Sequence, residues 1–279
     1  MSKKKLIVCI LFILLLGMLS AFNCYRISDK IHNDIVVEDV QQSAHLENAD
    51  STITSNFSNT SNQAINDKTT SESGTYASFQ SSIDFESLQA SNEDIYAWIT
   101  IPNTKIDYPI AQHPTDDTYY LSHGADGIYS KYGCPYTELC DNGLFLEFNT
   151  VVYGHNMNNG SMFGALHDYE DEEFFNSHRT IYIYTKEHTF TYYVFAAVMY
   201  SDAHIPYYYD DNVIEDRDLF LQSLKQDIVK DRSIYDNSVE VTSNSKIITL
   251  STCDKKLRNK RYLVVAVMTE MDGKTIQDK

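Results

Sequence analysis

A long polar stretch, from about Ser28 to Ser82, limits what this chain of 279 residues can fold into. It is rich in Ser, Thr, Asn and Asp, and its middle part, Ser51–Ser73, has hardly any large apolar side chains. Such a segment cannot bury enough surface to offset the entropy that it loses on ordering, so we predict a flexible linker over residues 27–81. A single folded domain is expected over residues 82–279.

Residues 1–26 have the features of a membrane anchor. Three lysines, Lys3–Lys5, precede an apolar run from Leu6 to Phe22, which is at the short end of the roughly 17–25 residues that a spanning helix needs. We predict a single transmembrane signal-anchor helix, with the lysines in the cytoplasm and the folded domain outside the cell. The alternative is a cleaved signal peptide, for which Leu19-Ser20-Ala21 is a poor cleavage site because Leu replaces the usual small residue.

Charge and cysteine spacing exclude several classes of function. The formal net charge of −17 argues against a nucleic-acid partner, which would require basic patches. The five cysteines form no Cys-X-X-Cys pair and no zinc spacing, and the acidic run Glu170–Glu173 lacks the spacing of a calcium-binding loop. We therefore predict neither a metal site nor a cofactor. Cys134 and Cys140 either form a disulfide or remain free thiols, and the sequence leaves both open.

Short strand-like segments separated by turn residues dominate the chain beyond residue 82. Eight strands are predicted, over Tyr96–Ile101, Ile106–Ile110, Gly133–Leu139, Thr150–His155, Thr180–Thr185, Thr189–Tyr200, Ser245–Cys253 and Arg261–Glu270. Helices are predicted from near Ser82, over Ser161–Phe175 and over Asp216–Ile228. This pattern predicts a mainly β fold, a small eight-stranded β-barrel with helical additions.

Three segments contain the residue types of a thiol acyl-transferase. Thr249–Cys253 ends one predicted strand on a cysteine, Arg261–Ala266 opens the next on an arginine, and Val152–Asn156 places His155 at the end of a third. A thiolate is a nucleophile, an imidazole moves protons, and a guanidinium can hold a carbonyl oxygen as it gains charge. If the last two strands pair antiparallel, Cys253 and Arg261 lie opposite each other or nearly so.

The segments around these residues resemble the sortases, the transpeptidases that attach proteins to the Gram-positive cell wall, and within them class B. The resemblance covers about Ile83 to Met268 and is carried by Trp98–Ile110, Tyr119–His123, Tyr153–Met157 and Gly160–Phe163. It implies an eight-stranded sortase barrel, a Cys–His–Arg site and cleavage of a sorting signal after its threonine.

The resemblance assigns a role to each candidate catalytic residue. Cys253 is the nucleophile, His155 moves the protons and Arg261 holds the oxyanion. Substrate contacts are predicted at Tyr120, Leu121, Ser251 and Thr252. Ser251 shares strand parity with Cys253, whereas the other three come from the resemblance. The remaining histidines of the domain, His167 among them, are predicted to be surface or loop residues because none lies in a turn-forming Gly-His-Asn.

The sequence therefore predicts a membrane-anchored class B sortase. It is expected to cleave a C-terminal sorting signal after Thr, to form a thioacyl-enzyme and to transfer the peptide to an amine of a cell-wall precursor of the lipid II type. Its expected partners are surface proteins that carry the signal, the peptidoglycan precursor and the membrane.

Three alternatives were weighed against this function. Pilin polymerisation would use a lysine amine as the acceptor. A non-catalytic binding module on a sortase-like barrel would not need Cys253, His155 and Arg261 intact. A papain-like protease usually has its nucleophile at the start of an early helix, whereas Cys253 ends a late β segment.

Overall fold

The centre of the molecule is a curled nine-stranded β-sheet whose main path has the order β2-β1-β4-β5-β8-β7-β3. The computed structural model describes residues 30, 34–45, 81–226 and 231–276. The strands are β1 (Ile95–Thr100), β2 (Asp107–Ala111), β3 (Asn149–Tyr153), β4 (Thr180–Thr185), β5 (Thr189–Ser201), β6 (Ile234–Tyr235), β7 (Ile247–Cys253), β8 (Lys260–Met271) and β9 (Lys274–Thr275). This architecture confirms the predicted mainly β fold with helical additions, but the sheet has nine strands and curls into a half-barrel, not the predicted eight-stranded barrel.

Strand β8 is buried on both of its faces. One set of its side chains packs inside the curl (Tyr262, Val264, Ala266, Met268), and the alternate set packs on the outer face of the sheet (Leu263, Val265, Val267). The outer cluster is covered by Phe220 and Leu221, from a helix over Ile214–Ser223. Because neither face meets water, the strand needs no polar side, which explains its unbroken apolar run.

Strands β3 and β7 form the one parallel pair among the described strands. Tyr153 of β3 lies in register with Ser251 of β7. Parallel strands end at the same edge of a sheet, so His155 and Cys253, each two residues further along, follow at one edge. The fold thus places the candidate histidine and cysteine side by side.

The predicted strand over Gly133–Leu139 is wrong. Only isolated bridges form there: Tyr136 pairs with Ala111 at the end of β2 and with Tyr153 at the end of β3. Pro135 has no amide hydrogen to donate, and Gly133 turns the chain with a φ of 64°. The segment therefore connects the two edge strands of the half-barrel at one residue instead of adding a full strand.

The helical additions differ in detail from the prediction. The segment predicted over Ser161–Phe175 is a 3₁₀ helix, Phe163–Glu170, followed by α2, Glu172–Ser177. Asp171 separates them and caps α2, since its carboxylate accepts a hydrogen bond of 2.8 Å from the Phe174 amide. The other helices described between residues 81 and 276 are α1 (Phe85–Ser91), a 3₁₀ turn (Tyr119–Leu121), α3 (Ile205–Tyr208) and α4 (Ile214–Ser223). Helix α4 lies where a helix was predicted over Asp216–Ile228.

Part of the predicted linker is ordered. Residues 34–44 are helical and pack on the domain, where Ala44 is buried and the Gln41 amide donates to the Asp107 carbonyl at 2.5 Å. The apolar side chains of Val36, Val37 and Val40 make this packing possible. No helix in the described part of the chain is long and apolar enough to cross a membrane, and the predicted segment Leu6–Phe22 lies outside the described residues.

Candidate active site

The predicted antiparallel register of the last two long strands is confirmed. Cys253, the final residue of β7, lies directly opposite Arg261 of β8. The Arg261 guanidinium donates a hydrogen bond through Nη1 to the Cys253 Sγ. The thiol is exposed at the sheet edge, so a substrate carbonyl can reach it. The sulfur therefore meets a positively charged hydrogen-bond donor at the end of the strand.

The segment that carries His155 is hydrogen-bonded to β7, the strand that ends at Cys253. The Gly154 amide donates to the Ser251 carbonyl at 3.1 Å, and the Thr252 hydroxyl donates to the Gly154 carbonyl at 2.7 Å. The His155 ring is oriented by its Nε2, which lies 2.8 Å from the Leu121 carbonyl oxygen. Since a carbonyl oxygen can only accept, Nε2 carries the proton and Nδ1 is the basic nitrogen of the neutral ring.

The backbone of the nucleophile is held by two side chains that sequence reasoning missed. The Asn156 Nδ2 donates to the Cys253 carbonyl at 2.7 Å, and His167 Nε2 lies 3.2 Å from the same oxygen. His167, predicted as a surface or loop residue, is half-buried in the 3₁₀ helix and contacts the Cys253 backbone. The one available signal for Asn156 was its place next to His155; nothing near His167 in the sequence indicated this contact.

A groove runs along the sheet edge beside Arg261. It is lined by residues of β3, β7, β8, the end of β5 and the segment that follows it: Tyr153, Ser201–Ile205, Ser251 and Leu263. One wall is fixed by the His204 ring, whose Nε2 lies 2.7 Å from a Glu138 carboxylate oxygen.

The four predicted substrate contacts occupy different environments. Ser251 lines the groove, and the Leu121 side chain is exposed beside the His155 ring. Tyr120 is 2% exposed, and its hydroxyl donates to an Asp94 carboxylate oxygen at 2.7 Å. Thr252 is also 2% exposed and is used in the bond that joins β7 to β3. The side chains of Tyr120 and Thr252 are therefore engaged inside the domain, and Ser251, which is 3% exposed, is about as buried as they are.

The two other described cysteines are free thiols. Cys134 is buried, with its Sγ 3.6 Å from the Pro109 carbonyl, whereas Cys140 is exposed. Partial burial, with the nearby Asp141 carboxylate adding to it, raises the pKa of Cys140 to about 12. Of the two alternatives that the sequence left open, the structure thus has the unpaired one, and Cys140 is an accessible but poorly ionised thiol.

Gly133 sits where any side chain would press on the histidine. A Cβ there would lie 2.4 Å from the Tyr120 carbonyl oxygen and 3.1 Å from His155 Cδ2, on backbone with a φ of +64°. We expect Gly133→Ala to lower the free energy of unfolding by about 2–4 kcal/mol, the sum of overpacking and of a left-handed non-glycine residue. Peptide-cleavage activity should fall as well, because the overlap displaces the ring.

Gly127 offers the matched control for this change. Its φ is +70°, but a Cβ there would meet nothing within 4 Å. Urea unfolding of Gly127→Ala should therefore show only the conformational cost of about 1–2 kcal/mol, with activity unchanged. Equal losses in the two variants would contradict the role given to the overlap with Tyr120 and His155.

Comparison with known proteins identifies the family. The family model described as "Sortase domain" matches residues 99–269. Sortase B of Listeria monocytogenes is 36% identical over 167 residues, a match that spans 60% of this chain and 65% of that protein. Sortase B of Staphylococcus aureus is 32% identical over 184 residues, covering 65% of this chain and 73% of that protein.

Solved structures agree with this assignment. Sortase B from B. anthracis in complex with AAEK1 superposes with a TM-score of 0.64 and 28% identity, over 87% of this chain and 98% of that one. A Staphylococcus aureus sortase B–substrate complex superposes with a TM-score of 0.57 and 30% identity, over 66% of this chain and 83% of that one. The chain therefore belongs to the sortase family, and within it to the class B sortases.

Proposed function

We propose that this chain is a cysteine transpeptidase that cleaves a C-terminal sorting signal after its threonine and transfers the acyl part to an amine. The observation that carries the proposal is the exposed Cys253 thiol, paired with the Arg261 guanidinium and next to the strand end that carries His155. These three groups supply a nucleophile, an oxyanion donor and a proton carrier on one edge of a rigid sheet.

The first half-reaction makes a thioester. The Cys253 thiolate attacks the carbonyl carbon of the threonine, and the oxygen that gains negative charge is held by Arg261. The bond from carbon to the amide nitrogen then breaks, and protonated His155 gives its proton to the leaving amine. The part of the sorting signal after the threonine departs, and the surface protein stays on the enzyme through the new C–S bond.

The second half-reaction reverses these roles. An incoming primary amine gives a proton to neutral His155 as its nitrogen attacks the thioester carbon. The C–S bond breaks, the thiolate returns to its position beside Arg261, and a new amide bond forms. No net oxidation occurs, and the enzyme returns to its starting state.

The groove beside Arg261 is our candidate for the sorting signal. Ser251 lines it and Leu121 lies exposed next to His155, so both remain proposed substrate contacts. A Staphylococcus aureus sortase B with a similar fold has been solved as a substrate complex, which supports a peptide-binding role for this face. We propose surface proteins bearing the signal as donors and a peptidoglycan precursor of the lipid II type as the acceptor.

Pilin polymerisation is the second candidate function. It would use the same thioester and a lysine side chain as the amine. A similar structure, Spy0129 of Streptococcus pyogenes, is described as a class B sortase involved in pilus biogenesis, with a TM-score of 0.58 and 28% identity. Offering the acyl-enzyme a short peptidoglycan-type amine and a lysine peptide in parallel distinguishes the two acceptors.

We also propose that the domain acts outside the cell, held to the membrane by the segment Leu6–Phe22. The support is the apolar character of that run and the preceding Lys3–Lys5. Protease added to intact protoplasts should remove the domain. Recovery of a free domain in the medium that starts near Phe22 would instead show a cleaved signal peptide.

A peptide library varied around threonine tests the proposed reaction. We expect cleavage after threonine and, by mass spectrometry, a transient acyl adduct on Cys253. A methanethiosulfonate reagent at neutral pH should label Cys253 well before Cys140, an exposed cysteine in the same molecule. Equal labelling of both thiols, with no cleavage of any peptide, would favour a non-catalytic binding module.

A further inference from the structure

Four side chains, those of His167, Glu170, Arg232 and Asp254, form a chain of contacts that starts at the Cys253 carbonyl and returns to the next residue, Asp254. We call this chain of contacts the circuit. His167 Nε2 lies 3.2 Å from the Cys253 carbonyl oxygen, and its Nδ1 lies 2.8 Å from Glu170 Oε1. Arg232 binds both Glu170 oxygens, at 2.7 and 2.8 Å, and reaches an Asp254 carboxylate oxygen at 2.5 Å. Asp254 is the residue after Cys253 in the chain, so the circuit closes on the nucleophile's own backbone.

The His167 ring faces an acceptor on each side. One ring nitrogen faces the Glu170 carboxylate and the other faces the Cys253 carbonyl, so the ring connects the two groups. The ring is also stacked on Tyr262 of β8 with a centroid separation of 4.8 Å, which fixes its plane.

Asp254 connects the circuit to the loop that leads to Arg261. One of its oxygens accepts from the backbone amides of Lys256 and Leu257, at 2.9 and 2.6 Å, and the other binds Arg232. Burial works against the charged form, yet these bonds hold the pKa of Asp254 below its ordinary value. An ionised carboxylate is thus built into the chain next to the thiol that must itself become an anion.

Two carboxylates and one guanidinium meet in the circuit. Glu170 and Asp254 contribute the negative charges, and Arg232 contributes a positive charge next to both. Arg232 forms an ion pair with each carboxylate, so a side chain of the protein itself supplies the positive charge beside them. Without Arg232, the uncompensated carboxylates behind Cys253 would disfavour a thiolate.

We propose that Arg232 is a positioning residue that offsets the negative charge of the carboxylates behind Cys253 and so keeps its thiolate available beside Arg261. This inference rests on the proposed function only in taking Cys253 as the nucleophile. None of the four circuit side chains lines the groove beside Arg261, so the circuit acts on the reactive form of the enzyme and leaves substrate contacts unchanged.

Alkylation of Cys253 by iodoacetamide, located by peptide mass spectrometry, tests this without any sorting peptide. At pH 7 we expect Arg232→Met to slow alkylation about tenfold, the loss of thiolate that an unbalanced nearby charge produces. The difference in alkylation rate should narrow steadily as the pH is raised above the ordinary pKa of a cysteine thiol. Arg232→Lys keeps the positive charge but loses the bidentate contact with Glu170, and its alkylation rate should stay within about threefold of the parent rate.

A double variant separates electrostatics from loss of structure. Asp254→Asn, added to Arg232→Met, removes the carboxylate of the residue that follows Cys253, while its side-chain oxygen can still accept from the Lys256 and Leu257 amides. We expect this pair to recover most of the alkylation rate. With a cleavable peptide, kcat of Arg232→Met should fall and KM should stay within about twofold, since no groove contact is lost.

Arg179 supplies the matched control. It forms a comparable ion pair with Asp236 at 2.8 Å, in another part of the domain. Arg179→Met should leave the alkylation rate at the parent value, whatever it does to stability. An Arg232→Met protein that is alkylated at the parent rate, or a double variant slower than the single one, would overturn the proposal. Failure of the parent Cys253 to react at all would instead refute its role as the nucleophile.

Discussion

Replacing Cys253 by alanine should abolish peptide cleavage, with a loss of at least ~10³-fold, while the domain stays folded. The change removes the only atom that can form the thioester. It costs little stability, within about 0.5 kcal/mol, because the side chain is exposed at the end of β7 and leaves no cavity. Cleavage of a fluorogenic sorting peptide and a urea unfolding curve check the two halves of this expectation.

Cys140→Ala is the control for this experiment. Cys140 is exposed, as Cys253 is, but it lies outside the site, so its variant should cleave at the parent rate. Turnover by Cys253→Ala above a few per cent of the parent rate would mean that another residue is the nucleophile.

Loss of the arginine opposite the thiol should have the next largest effect. We expect Arg261→Ala to lower turnover on the order of 10²-fold or more, as the loss of an oxyanion donor does. Arg261→Lys should recover only part of the rate, since a single ammonium cannot both contact the sulfur and hold the oxyanion with a planar fork. Single-turnover acylation by the same peptide measures this step directly.

Arg258 is the matched control, three positions earlier in the chain. It is exposed in the loop between β7 and β8, outside both strands, and carries the same charge. Arg258→Ala should turn over near the parent rate. If Arg258→Ala were the more damaged variant, the register of β7 and β8 would not explain the chemistry.

The sequence predicted those parts of the site that depend on neighbouring strands. Cys253 and Arg261 end and open two apolar strands joined by a short polar loop, so an antiparallel pairing follows almost directly, and the structure has it. The parallel pairing of β3 with β7 joins segments about a hundred residues apart, and no local pattern shows it. There the resemblance to a family, not the periodicity, supplied His155.

Side-chain direction and loop contacts were beyond the reach of sequence reasoning. Tyr120 and Thr252 lie in the right segments but are buried and used in internal hydrogen bonds. Arg232 and His167 approach Cys253 from a loop and a 3₁₀ helix, where neither period 2 nor period 3.6 predicts which way a side chain points. The strand pattern also predicted a full strand around Tyr136, where proline and a left-handed glycine limit the pairing to single bridges.

The position of β8 in the sheet determines when the paired Cys253–Arg261 site can form during synthesis. It follows β7 in the chain, yet it lies inside the sheet, between β5 and β7, and carries Arg261. A growing chain that ends before β8 has the cysteine and β3, the parallel partner of β7, but no guanidinium beside the sulfur. The paired Cys253–Arg261 site can therefore form only after β8 has been made and has entered the sheet.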